Sequence, residues 1–234
     1  MNTTIIILLG LLVLALSFRK SIAIYITKLV YGEYSRQFVL KYKKITRKKP
    51  HPYCFKDDFY YHILAIHKAM TETKIYQSNK RFDFEHLDFG KNLKDTLSEN
   101  SNPDCFTISE DKVPDFSVVG YKSRMFHSNE KTLLYHCSDS YFMGEFVFSS
   151  LSEDTPALIL EMLQKEYNPN IEAAKNFSIK DQDGHVLYFT DTGFFLSLKF
   201  FNTNNDIIQK LVELAQKSSD ENKPPLENIR QLEC

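Results

Sequence analysis

Between Cys105 and Asn202 the apolar positions recur mostly at every second residue, and the period twice gives way to the three-and-four spacing of a helix. The pattern predicts strands over Cys105–Ser109, Phe116–Arg124, Thr132–Cys137 and Tyr141–Ser149, then a helix over Thr155–Tyr167. The order returns with strands over Phe177–Lys180, His185–Thr190 and Phe194–Asn202 and a helix over Ile207–Lys217. Upstream, Phe59, Ile63, Ile66 and Met70 make one apolar stripe in DDFYYHILAIHKAMTETKIY, read as a helix, and a shorter helix covers Lys91–Glu99 before the turn-rich SENSNPD.

The repetition can be aligned without a gap. Ser138–Lys165 laid on Thr190–Lys217 matches Asp139, Phe142, Phe148, Asp154, Glu161, Gln164 and Lys165 to Asp191, Phe194, Phe200, Asp206, Glu213, Gln216 and Lys217. Ser-Asp-Ser and Thr-Asp-Thr supply oxygens that close hairpin turns, and Gly193 suits a left-handed turn position. Asp154 and Asp206 stand where a side chain accepts from free amides at a helix start. Two similar β-hairpin–helix units, about 131–167 and 183–218, therefore predict an α+β domain of antiparallel sheet with both helices on one face. Phe142 and Phe194 are expected in equivalent buried places. The other face would carry Tyr141, Met143, Glu145 and Val147 beside Phe195, Ser197, Lys199 and Phe201. It is either covered by the helix around Ile63 or left as a docking surface for a protein partner, with Tyr141, Met143, Phe195 and Phe201 as its contact residues.

Hydropathy changes the picture at the N-terminus. Thr3–Phe18 has no charge, and eighteen residues as a helix reach about 27 Å, the thickness of a hydrocarbon core. The expected organisation is a transmembrane anchor over 1–18, a basic juxtamembrane segment over 19–50, the α+β domain over 51–218 and a flexible tail over 219–234. From Arg19 to Lys49 there are ten Lys or Arg against one acid, Glu33, whereas the chain from Pro50 onward carries 19 basic and 29 acidic residues. A collar of +9 beside an apolar run suits anionic lipid, and a body of −10 does not suit nucleic acid. Cations after the run and none before it place the C-terminal domain in the cytoplasm, as a single-pass membrane protein. A signal removed near Ala15-Leu16-Ser17, giving an exported domain, is the alternative. The segment after Phe18 reads as an interfacial amphipathic helix or a connecting one. Cys54, Cys105, Cys137 and Cys234 form no CxxC, and free thiols in a reducing compartment are expected.

Candidate chemistry is sparse. Asp191-Thr192-Gly193 repeats a triplet of aspartic proteases over three residues only, and a hairpin turn accounts for it. His136 and Cys137 point to opposite faces of a strand and cannot pair. His62 and His67 lack the spacing of a zinc motif, and no phosphate loop, GxSxG elbow or dinucleotide fingerprint occurs. The sequence thus suggests a membrane-tethered, non-enzymatic binding or assembly module that needs no cofactor and no metal. A hydrolase or small-ligand enzyme without local motifs is the alternative.

Overall fold

The computed structural model describes residues 18–220 apart from 56–58, 72, 83, 86, 101, 110–115, 127, 150 and 169. The chain divides into two compact units, Met1–Pro52 and Tyr53–Cys234. The anchor expected over 1–18 lies outside the described residues except for Phe18, and so does the tail beyond 220. Among the described residues no helix is long and apolar enough to cross a membrane.

In the first unit, helix α1 runs over residues 18–31 and stops at Gly32, whose φ of 84° a side chain would strain. Helix α2, Arg36–Thr46, starts at Ser35, whose hydroxyl accepts from Phe38 N at 3.1 Å, and it buries Phe38 and Val39. Tyr34 and His51 stack at 4.7 Å behind it.

The second unit is built on one eight-stranded sheet. Its strands are β1 (Ile75–Gln77), β2 (Cys105–Ile108), β3 (Phe116–Met125), β4 (Ser128–Cys137), β5 (Ser140–Ser149), β6 (Asn176–Lys180), β7 (His185–Asp191) and β8 (Phe195–Asn202), in the spatial order β1-β6-β7-β8-β5-β4-β3-β2. All neighbours are antiparallel except β1 and β6. Its helices are α3 (Phe59–Thr71), α4 (Leu93–Glu99), α5 (Thr155–Glu166) and α6 (Asp206–Asp220). The fold is α+β, as the alternation of periods predicts. The short β1 falls at the end of the segment read as a helix, where the three-and-four apolar spacing stops after Met70 and Ile75 to Gln77 pair with β6 instead.

The two meanders β3-β4-β5 and β6-β7-β8 meet at the centre, where β5 pairs with β8. Phe146 lies directly opposite Leu198, the residue 52 places later. This is the offset of the sequence repeat, so a local two-fold axis passes through that pair and each residue of one central strand faces the mirror position of the other.

The helices do not obey the symmetry. Ile66 and Ala69 of α3 and Ile208 and Leu211 of α6 share one buried cluster with Leu133, Tyr135, Met143, Val186 and Phe201 on the first face of the sheet. Helix α5 crosses the second face. Its Thr155 hydroxyl meets Ser128 at 2.7 Å, and beyond its far end Tyr167 sits edge-on to Phe82 while Asn168 reaches Gln77 O. Phe84 fills the middle of that face against Phe146 and Phe200, in the space left by Gly144, where a Cβ would collide with the Phe84 ring. The expectation of two helices on one face is thus corrected: α3 occupies the place beside α6 that a symmetric α5 would need. Asp154 makes no side-chain cap, and Asn205, not Asp206, accepts from Ile207 N at the start of α6.

A bulge at Tyr135/His136 corrects a second expectation. The extra residue turns Phe142 onto the first face beside Phe116 at 5.4 Å, and Tyr141 onto the second face against His136 and Phe89. Phe194, its partner in the sequence alignment, is 88% exposed, so the two are not equivalent buried positions.

Candidate functional site: a buried carboxylate–lysine cluster

The four residues proposed as a docking surface are not gathered on one. Met143 and Phe201 lie beneath α3 and α6, Tyr141 is buried on the opposite face, and Phe195 alone stays accessible, at 44%. Exposed apolar surface is removed from water wherever a helix can reach it, and α3 and α6 reach this face. The helix expected around Ile63 is the one that does so. Ile66 and Ala69 supply its buried contacts, while the side chains of Phe59 and Ile63 lie outside the described residues.

The same face holds the densest set of ionisable groups. Register sets Glu145 of β5 opposite Lys199 of β8, and the two form a buried ion pair. Ser197 donates to Glu145 Oε1 at 2.6 Å, and Tyr135 donates to Oε2 at 2.5 Å. His62 of α3 brings Nδ1 to 2.9 Å from the Tyr135 oxygen and 3.4 Å from Glu145 Oε2. With the Tyr135 proton directed at the carboxylate, its oxygen accepts from His62 Nδ1–H, which leaves Nε2 buried without a partner. Phe55 closes the group, its ring 4.6 Å from that of His62.

Electrostatics hold this group in one ionisation state. Burial alone would raise the Glu145 carboxyl, but Lys199 and then His62 outweigh it and keep the group well below the usual carboxylate range. Tyr135 is pushed well above its ordinary value by burial and by the adjacent Glu145 charge. Both carboxylate oxygens are occupied, the ammonium of Lys199 is committed to Glu145 and Ser197, and Ser197 is buried. Apart from His62 Nε2, the polar atoms of the cluster satisfy one another, and the Glu145–Lys199 pair links the two meanders where β5 meets β8.

A second set, Asp181, Asp183 and His185, sits in the β6–β7 turn with three possible metal-ligating atoms within 4.8 Å. Asp181 Oδ1 already accepts from the amides of Asp183 and His185, and Oδ2 from Phe82 N and His185 Nδ1 at 2.8 Å. Burial would raise the Asp181 carboxyl, and the amides of Phe82 and His185 lower it overall. That aspartate clamps a turn.

Sequence reasoning missed the Glu145–Lys199 pair because alternation alone places both on a face of undefined cover. The repeat contained the signal: with an offset of 52 and antiparallel central strands, Glu145 must face Lys199 once Phe146 faces Leu198. The cysteine expectation is also overturned. Cys54 and Cys105 are both buried and joined in a disulfide, Cα atoms 5.0 Å apart, because the segment after Pro52 lies along β2. Cys54 N donates to Thr107 Oγ1 and Lys131 Nζ donates to Cys54 O, so this strip covers the edge strand.

Comparison with known proteins gives no match to a family profile, to a curated protein or to a solved structure.

Proposed function

We propose that the chain is a membrane-tethered binding or assembly module whose N-terminal unit engages the bilayer. One observation carries this reading. Phe18, Ile22, Tyr25, Ile26 and Leu29, spaced as one stripe of α1, are between 44 and 73% exposed. Five large apolar side chains in a row are more than a water-facing helix needs, and they continue the apolar run of Thr3–Phe18. Arg19, Lys20 and Lys28 flank or oppose the stripe, and the basic residues of α2 follow, an arrangement suited to anionic headgroups. The body carries no accessible group of catalytic residues among those described, which favours binding over turnover.

The experiment is flotation of the full chain with phosphatidylcholine–phosphatidylserine vesicles. The paired change Ile22→Glu with Leu29→Glu should weaken association at least tenfold, since each apolar side chain contributes about 1.5–3 kcal/mol when buried. Unchanged flotation would remove α1 from the membrane contact.

The disulfide favours a second reading of orientation, in which the N-terminal segment delivers the body to an oxidising compartment. Disulfides persist there and are rare where glutathione keeps thiols reduced. Protease protection in sealed membranes distinguishes this from the cytoplasmic placement that the basic collar favours.

A further inference from the structure

We propose that the β7–β8 turn is a membrane-inserting tip, with Phe194 and Phe195 entering the interfacial layer of the bilayer. This rests on the tether proposed above and adds a second contact from the body itself. At 88%, Phe194 is the most exposed large apolar side chain among the described residues, and Phe195 beside it is 44% exposed. Gly193, at φ 81°, turns the chain so that the two rings project from the end of the sheet.

The backbone of the turn is what selects lipid as the occupant. Hydrocarbon offers no hydrogen bonds, so a segment entering it must satisfy its own amides, whereas a protein partner could supply them. Here four consecutive amides are bonded inside the turn. Thr192 N donates to Phe195 O at 3.1 Å, Gly193 N to Asp191 Oδ1 at 2.8 Å, and Phe194 N and Phe195 N to Thr192 Oγ1 at 3.4 and 3.2 Å. The Thr192 hydroxyl in turn donates to Phe195 O. Asp191 is held at the base of the turn, with its amide on Lys175 O at 2.7 Å, which limits entry to the two rings.

A second hairpin tip leaves the sheet at the same end. Asn129 pairs with both Arg124 and Ser149, and Ser149 pairs with Phe195, so exposed Met125 projects on the side of Phe194. Exposed Arg124 and Lys175 stand beside the two tips for lipid phosphates. Glu153 and Asp154 follow β5 at this end, so apolar insertion, not charge, carries the contact.

The chain contains no tryptophan, which makes a single introduced one an unambiguous reporter. Phe194→Trp in the full chain, on phosphatidylcholine–phosphatidylserine vesicles, should show blue-shifted emission and quenching by lipids brominated near the carbonyl end of the acyl chain. Gln182→Trp, in the exposed β6–β7 turn at the opposite end, should stay water-exposed and unquenched. If the Phe194→Trp chain floats with the vesicles yet its emission is unshifted and unquenched, the tip proposal fails and the tether stands. Equal quenching at both positions overturns the tip as well, since the body then lies on lipid without orientation. A chain that does not float overturns both.

Discussion

Glu145 is the residue where burial and charge conflict most sharply. Its carboxylate stays ionised because Lys199, Ser197 and Tyr135 replace the water it loses. Lys199→Met strands that charge and should cost about 3–5 kcal/mol in urea unfolding, whereas Glu145→Leu with Lys199→Met should recover most of the loss. A double variant as weak as the single one would show that the pair is worth more than its apolar replacement. The Glu145 contribution is present above the unfolded carboxyl value of 4.5 and is lost only as pH falls below it, since its folded value is depressed. His136 acts at higher pH. Its ring is buried under α4, with Nε2 3.2 Å from Thr96 Oγ1, and burial lowers its pKa to about 4. A base that protonates more readily when unfolded stabilises the fold fully above about pH 6.5, and that share is lost between there and about pH 4, on the order of 3 kcal/mol. His136→Phe should flatten the stability-versus-pH curve in that window. An unchanged slope would assign it to other groups.

At the scale of elements, the strands were the most legible part of the chain and the cover of the sheet the least. The pattern that predicts Phe116–Arg124 and His185–Thr190 is found as β3, Phe116–Met125, and β7, His185–Asp191, because a period of two follows directly from side chains alternating across a pleat. Nothing in that period tells which helix lies on which face. Helix α5 carries the sequence of a symmetric partner to α6 yet crosses the opposite face, and the bulge at Tyr135/His136 reversed Phe142 by adding one residue to the count. The Glu145–Lys199 cluster was hidden for the same reason, as its burial depends on α3 arriving from elsewhere in the chain. The disulfide was hidden too, because spacing does not reveal that Cys54 runs beside β2. It closes a loop of sequence separation 51 and ties the first residues of the second unit to an edge strand. Cys54→Ser should therefore lower stability by about 4 kcal/mol by the loop-entropy estimate. An unchanged thermal midpoint, with reducing agent equally without effect on the parent chain, would show that the link does not form.

For the whole molecule the governing feature is its charge division, a basic N-terminal segment joined to an acidic body. The proposed tether has two modes of attachment open to it, and salt separates them. An apolar run that enters the hydrocarbon is held by area removed from water, which salt does not weaken. A collar on anionic headgroups gains about 1 kcal/mol per Lys or Arg near the surface, and this fades as the Debye length shrinks from about 10 Å at 0.1 M salt to about 3 Å at 1 M. The full chain should stay with phosphatidylserine-containing vesicles in high salt. A chain lacking residues 1–17 but keeping α1 and α2 should bind the same vesicles more weakly in high salt than in low, and neutral phosphatidylcholine vesicles more weakly still, since the share of the collar is lost and only the apolar stripe is left. The acidic body reinforces the contrast, since anionic lipid repels it and the apolar tip of the β7–β8 turn adds its contact only once the proposed N-terminal tether has brought the body to the surface. Release of the full chain by salt would mean that the apolar run is not inserted. Salt-resistant binding of the shortened chain would mean that the α1 stripe, with Phe18, Ile22, Tyr25, Ile26 and Leu29, is itself enough to hold the protein by burial alone.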